Sequence, residues 1–171
     1  MIPSGKQLDH TSASSLREQY IEHVFLGAIS QEVWRRNIEM DVLRSHTDQS
    51  GYDILLDAMG IQRHIQLKSS FDGAKTSRQK INIKLSSKPG GCVVWMRFDE
   101  TDLSLTSFLW LGERPGEPLS DLGDKVAKHS KGNASGFKAE RSSIRVLNKG
   151  DFTLVDNVSD LVDLLFGVAP S

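Results

Sequence analysis

The chain of 171 residues carries one cysteine, five prolines and no excess of either charge sign. A single thiol, Cys92, excludes a disulfide scaffold and a cysteine-based zinc site. It sits inside Cys92-Val93-Val94-Trp95-Met96, where it reads as a small buried hydrophobe. No apolar run approaches the ~18 residues that span a bilayer. Met1 to Ser15 is polar as well, so a soluble protein of a reducing compartment, the cytoplasm, is expected. The 21 basic and 22 acidic side chains nearly cancel, which excludes a protein held to a polyanion or membrane surface by one global field. Any nucleic-acid face has to be local. The histidines have no metal-ligand spacing among them, and no G-x-S-x-G elbow supports serine hydrolysis.

What is present is an ordinary globular composition, with hydrophobic residues at 38% and enough length for one domain with a sizeable core. Residues 1–14 read as a flexible lead and 15–171 as a single domain. Ser15-Leu16-Arg17-Glu18 has capping-box spacing, and Leu16, Tyr20, Ile21, Val24, Phe25 and Ala28 follow at helical intervals, predicting a helix over 15–36. At 100° per residue, Glu18 and Glu22 fall with Ile29 on one edge of its apolar arc. Met40 to Arg44 is a strand candidate. Tyr52 to Asp57 and Gln62 to Lys68 are two strand-like runs around Met59-Gly60, a hairpin signal. That turn sets Ile54 opposite Ile65 and Asp53 opposite Gln66. Alternation then gives Asp53, Gln66 and Lys68 one face and Ile54, Leu56, Ile65 and Leu67 the other. His64, beside Leu55, reads as structural.

Further strands are expected at Lys80–Leu85, Cys92–Phe98 and Ser104–Leu111, making a sheet of five or six. Lys125 to Gly136 is a polar stretch with weak helical promise at its start. A short amphipathic helix over 160–166 is introduced by Asp156-Asn157 and closed by Gly167. Trp34, Trp95 and Trp110 read as core or sheet-face residues. The fold class expected is mixed α/β (α+β): a leading helix, a central mixed sheet and a C-terminal strand and helix extension.

Charge is banded. Residues 62–88 hold seven basic and one acidic side chain, and residues 125–149 again seven and one. The first band is Arg63, Lys68, Lys75, Arg78, Lys80, Lys84 and Lys88; the second is Lys125, Lys128, Lys131, Lys138, Arg141, Arg145 and Lys149. Brought together, the two bands form a phosphate-tracking groove; kept apart, they are solvated faces. Lys75, Arg78, Lys80, Lys128 and Lys131 are the candidate nucleic-acid-binding residues.

Phosphodiester hydrolysis wants a divalent cation, and Mg²⁺ or Mn²⁺ takes a few oxygen ligands and keeps waters. Asp53 with a helix carboxylate, Glu22 or Glu18, supplies such oxygens. Gln66 offers an amide carbonyl, and Lys68 an amine to position water or steady charge. On these residues the chain resembles the PD-(D/E)XK nuclease superfamily, including Mrr-type restriction enzymes and Holliday-junction resolvases. The matching segments are Gly51-Tyr52-Asp53, Gln66-Leu67-Lys68 followed by Ser69-Ser70, and Tyr20-Ile21-Glu22 for the helix acid, over roughly residues 15–98. Gln66 departs from the commoner acid. The resemblance implies a restriction-endonuclease-like core, Asp53, Gln66, Lys68 and Glu22 as catalytic residues, and metal held by Asp53, Glu22 and Gln66. It also implies cleavage of nucleic acid, DNA before RNA, with a homodimer as one arrangement. The alternative is a catalytically silent binding or assembly module that keeps the fold and the basic bands.

Overall fold

The computed structural model describes residues 13–129, 131–132 and 134–167. The expected lead at 1–14, with His10, therefore falls outside the described residues except at its last two positions. A long helix comes first. Helix α1 runs Ser14–Arg35, with Ala13 at the N-cap and no side-chain cap. The expected capping box at Ser15 does not form, because the helix begins a residue earlier and places Ser15 inside its first turn. Ile21, Phe25, Ile29 and Val33 are its buried apolar positions, recurring every four residues. Val24, expected in that arc, stands 39% exposed. Asn37, at φ 54°, ends the helix in the left-handed conformation that Asn tolerates.

Next come β1 (Met40–Arg44), β2 (Ile54–Ala58) and β3 (Ile61–Phe71). The hairpin register is the expected one, with Ile54 facing Ile65 and Leu55 facing His64. Met59 and Gly60 both take positive φ, 53° and 75°, as a type I′ turn requires. β4 (Arg78–Asn82) stops sooner than the Lys80–Leu85 strand expected. The Asn82 side chain accepts the Lys84 N–H at 3.0 Å and turns the chain into a 3₁₀ helix over Ile83–Ser87. β5 (Cys92–Phe98) and β6 (Leu105–Gly112) form the expected hairpin. β7 (Val126–Lys128) replaces the helical start expected near 125. β8 (Glu140–Asn148), β9 (Thr153–Val155) and helix α2 (Val158–Phe166) complete the chain. The Asn157 side chain caps α2 by accepting the Asp160 N–H at 2.9 Å.

The architecture is mixed α/β with three layers. A six-stranded sheet runs in the order β1-β2-β3-β5-β6-β9, and a three-stranded sheet in the order β4-β8-β7. Only the β3–β5 pairing is parallel in the large sheet, so the sheet is mixed as expected. Alternate residues of β5 enter two cores. Cys92, Val94, Met96 and Phe98 pack under α1 and α2 with Ile21, Phe25, Leu161 and Leu165. Val93 and Trp95 pack toward the small sheet with Ile81, Leu147 and Phe152. Covered on both faces, β5 is buried at all seven positions, which its unbroken apolar sequence anticipates. Cys92 is one of these buried positions, and burial pushes its thiol up to about 12. Trp95 and Trp110 are core residues, whereas Trp34, expected with them, is 82% exposed at the end of α1.

Two arginines, buried Arg63 and half-buried Arg36, tie separate elements together. Arg63 of β3 is 0% exposed. Its Nε donates to the Leu165 carbonyl at 2.7 Å, and one terminal nitrogen to those of Leu164 and Glu113 at 2.8 and 2.9 Å. A cation at the carbonyl end of α2 is electrostatically favoured, and Arg63 thus leaves the basic surface band to which its sequence position assigns it. Arg36 links the helices through Glu32, Asp163 and Ser159.

Candidate active site

The site forms where β2 stops and β3 continues. β2 begins only at Ile54, opposite Ile65, but β3 runs on to Phe71, so beyond Ile65 β3 has no β2 partner. Asp53 sits at that step. Its backbone extends both ladders, donating to the Ile65 carbonyl and accepting from the Ser45 N–H, each at 2.9 Å. Its Oδ2 accepts the Leu67 N–H at 2.6 Å and so occupies the open edge. Gly51 makes the approach possible. It holds φ 82°, and a Cβ there would meet the Lys84 Cβ at 3.0 Å and the Leu85 N at 3.1 Å.

The N-terminal half of α1 lies across the step. An open pocket of about 560 Å³ is lined by Glu18 and Glu22 from α1, Asp53, Lys68 and Ser69 from the hairpin, and Gln79 from β4, among others. Residues from both faces of β3 meet here because the uncovered edge lets side chains reach around it. Of the two acids expected on the edge of the apolar arc, Glu22 is half-buried and Glu18 is exposed. Lys68 is half-buried. Burial pushes its ammonium below the ordinary 10.5, the carboxylates of Asp53 and Glu18 pull it back up, and the Lys80 charge adds to the lowering.

The two helix acids differ in their partners. Glu22 is engaged by Arg44 of β1 at 3.0 Å. Glu18 bears on Lys68 instead. Sequence reasoning ranked Glu22 first, and only the fold reveals that β1 delivers an arginine to it. Gln66 does not line the pocket. Its amide oxygen accepts the Asn82 N–H at 3.2 Å, bracing β3 against β4. Gln66 shares the β3 face of Lys68, as expected, yet it meets the small sheet rather than the cavity. Ser15, Gln19 and Gln79 also line the pocket without having been singled out. For Gln79 the missing signal was tertiary, since β4 belongs to a different sheet.

Whether a metal suits this donor set follows from ligand chemistry. Among the described residues, no group of three His, Cys, Asp or Glu side chains converges on one point, which disfavours an all-protein cage. Mg²⁺ at phosphate sites needs only one or two carboxylates, completing its shell with water and substrate oxygens. Asp53 and a helix glutamate on one pocket meet that smaller requirement.

The two basic bands come together. β4, from the first band, pairs along β8, from the second, with Lys80 facing Val146 and Ile81 facing Arg145. β7 then adds Lys128 on the far side of β8. Arg78, Lys80, Lys128 and Lys131 are exposed on this sheet and its connections, and Lys75 is exposed on the approach to β4. Gln79 ties the same sheet to the pocket. Among the described residues, no helix is long and apolar enough to cross a membrane.

No family model matches the chain, and no curated protein matches it. Among solved structures, a bacterial homing endonuclease is similar over 72% of this chain and 85% of its own, at 18% identity and a TM-score of 0.34.

Proposed function

We propose that this chain is a Mg²⁺- or Mn²⁺-dependent nuclease of the PD-(D/E)XK kind that hydrolyses phosphodiester bonds, with DNA as its substrate. One observation carries the reading. Two helix glutamates, Asp53 and a half-buried lysine line one pocket, and a wall of that pocket belongs to the sheet that unites the basic bands. Opposite charges are thereby sorted: carboxylates in the pocket for a cation, lysines and arginines beside it for phosphates.

Asp53 and Glu18 or Glu22 would hold the ion, which when bound polarises the phosphoryl group and favours hydroxide over water. The other steps belong to side chains. Water's oxygen bonds to phosphorus as the bond to the leaving oxygen breaks. Lys68, readier than an exposed lysine to give up its proton, is placed to take one from that water or to steady the transition state's charge. Asp53 is held in place at the pocket by the Leu67 N–H. Gln66 acts through its brace to β4 rather than as a ligand.

The test is titration of Mn²⁺ into wild type and Asp53→Ala by calorimetry, with plasmid nicking followed in the same samples. Metal binding and nicking are both expected to vanish in the variant. Glu18→Gln is expected to impair nicking more than Glu22→Gln, since Arg44 already occupies Glu22. A second reading, the silent binding module, is favoured by the engaged Gln66 amide. It requires salt-sensitive DNA binding that Asp53→Ala leaves intact, with no metal binding and no cleavage by either protein.

A further inference from the structure

One cation beside the pocket belongs to neither basic band. Arg44 closes β1, directly opposite Ile54, the residue that follows Asp53. The next residue, Ser45, donates its N–H to the Asp53 carbonyl at 2.9 Å, so one backbone ladder places both Arg44 and Asp53. The Arg44 Nη2 lies 3.0 Å from Oε1 of Glu22, a pocket-lining acid, and the arginine side chain is 52% exposed. The guanidinium therefore meets both the carboxylate and solvent.

Acids and cations are matched along α1. Glu18 and Glu22 stand four residues apart, neighbours on one helix face about 6 Å from each other. Glu18 bears on Lys68 of β3, and Glu22 on Arg44 of β1. Asp53 leads into β2, which runs between those two strands. The two cations differ in what they can do. Lys68 is half-buried and can give up a proton. A guanidinium keeps its proton at any working pH, so Arg44 serves only as a charge and a hydrogen-bond donor.

We propose that Arg44 binds a backbone phosphate of the substrate, flanking the phosphate that is cut, and that Glu22 positions Arg44 instead of holding the metal. The inference rests on the nuclease reading above and deepens it, leaving the ion to Asp53 and Glu18. An ion pair this exposed contributes little to stability. What it does is restrict a long side chain before the substrate arrives, which reduces the ordering that binding has to supply. The planar guanidinium fork suits a second, charge-assisted contact to a phosphate alongside the one to Glu22. A carboxylate and a phosphodiester repel each other unless a cation stands between them, and Arg44 is the cation that β1 delivers there. The same pairing disfavours Glu22 as a metal ligand, because a divalent ion would have to compete with a positive charge 3.0 Å away. The separation of about 6 Å between the two acids sets the Arg44 contact beside the reacting phosphate, so its loss falls on binding more than on the chemical step.

Binding of the full chain to a DNA duplex is measured by anisotropy in EDTA, which prevents cleavage, over a range of salt. Mn²⁺ binding is measured by calorimetry without DNA, and kcat and KM for nicking are determined separately. Arg44→Ala is expected to bind duplex about tenfold more weakly and to lower the slope of log affinity against log salt by about 0.9. Its KM is expected to rise about tenfold while kcat changes by less than about threefold. Arg44→Lys is expected to restore the slope but only part of the affinity, since an ammonium keeps the charge and loses the fork. Glu22→Gln is expected to leave Mn²⁺ affinity within about twofold of wild type. It is expected to weaken duplex binding about threefold when Arg44 is present, and to strengthen it in the Arg44→Ala background, where only a repulsive charge is removed. A merely structural pair gives no such reversal of sign. Arg44→Ala binding duplex within about twofold of wild type, at an unchanged slope, overturns the phosphate contact. Glu22→Gln weakening Mn²⁺ binding about tenfold or more returns Glu22 to the ion and overturns its positioning role. In both cases wild type still binds metal and nicks DNA, and the nuclease reading stands. Wild type that neither binds duplex at low salt nor nicks it overturns that reading, and the Arg44 contact with it.

Discussion

Lys68 shows at the residue scale how a site can work against the fold that holds it. The side chain is half-buried, and burial lowers its pKa despite the carboxylates of Asp53 and Glu18 nearby. A lysine whose folded value lies below the ordinary 10.5 destabilises the native state while it is charged, and the penalty lifts as pH rises from the folded value toward 10.5. Lys68→Met keeps the stem's packing and removes the charge. It is expected to raise stability at pH 7 by about 0.5–2 kcal/mol, to flatten the rise of stability toward pH 10, and to abolish cleavage. Denaturant unfolding at both pH values checks the first two outcomes; a loss of stability at pH 7 would mean that the carboxylates outweigh the burial. Asp53 and Lys68 were legible in the sequence because a two-residue turn fixes a hairpin's register locally. Gln66 was not, since its partner, the Asn82 N–H, lies on β4 and no local rule connects the two. Trp34 failed for a related reason: an aromatic at helical spacing says nothing about which helix face meets the sheet.

At the element scale, α1 and α2 meet only through a polar clamp at one end and apolar packing along the rest. The Arg36 Nε donates to Glu32 at 2.8 Å, and its terminal nitrogens donate to the Asp163 carboxylate and, at 2.7 and 2.9 Å, to the Ser159 hydroxyl and carbonyl. The Arg36 hydrogen bond holds the buried Glu32 carboxyl below its ordinary 4.5, with burial opposing it. A depressed carboxylate contributes stability above its unfolded value and loses it as pH falls through the folded one. Unfolding followed from pH 7 down to pH 3 is therefore expected to show a loss beginning near 4.5, and Glu32→Gln is expected to remove part of that acid limb. Arg36→Leu, which leaves the buried Glu32 only its exposed partner Arg35, is expected to cost about 1–3 kcal/mol at pH 7. The Glu32–Arg36 pair is local, four residues apart, but its link to α2 was not readable beforehand, because Arg36 and Asp163 lie 127 positions apart. Elements with their own local signals fared better: β5 from its apolar run, α2 from Asn157 and Gly167, the β2–β3 hairpin from Met59-Gly60. β8 carries no such signal. Its first four residues are exposed and polar, and what makes it a strand is pairing with β4 and β7 from opposite sides.

At the scale of the whole molecule, two segments separated by an acidic stretch of chain become one basic sheet, and net charge near zero becomes a polarised surface. β4 and β8 bring this about by pairing, which no composition average could reveal. The consequence is measurable without knowing the cleavage chemistry. Each phosphate neutralised contributes about −0.9 to the slope of log affinity against log salt on duplex DNA. Arg78→Ala, Lys80→Ala and Lys128→Ala combined are expected to reduce that slope by roughly 2.7 if all three contact phosphates, weakening binding uniformly across sequences. Arg35→Ala is the internal control. Arg35 is 71% exposed and equally cationic, but it sits at the far end of α1 beside Glu32, away from the small sheet. A polarised surface predicts no change in slope for it. Equal slope losses from Arg35 and from the sheet residues would instead mean that DNA is attracted by exposed charge wherever it lies, and that the joining of the two bands is a feature of the fold alone.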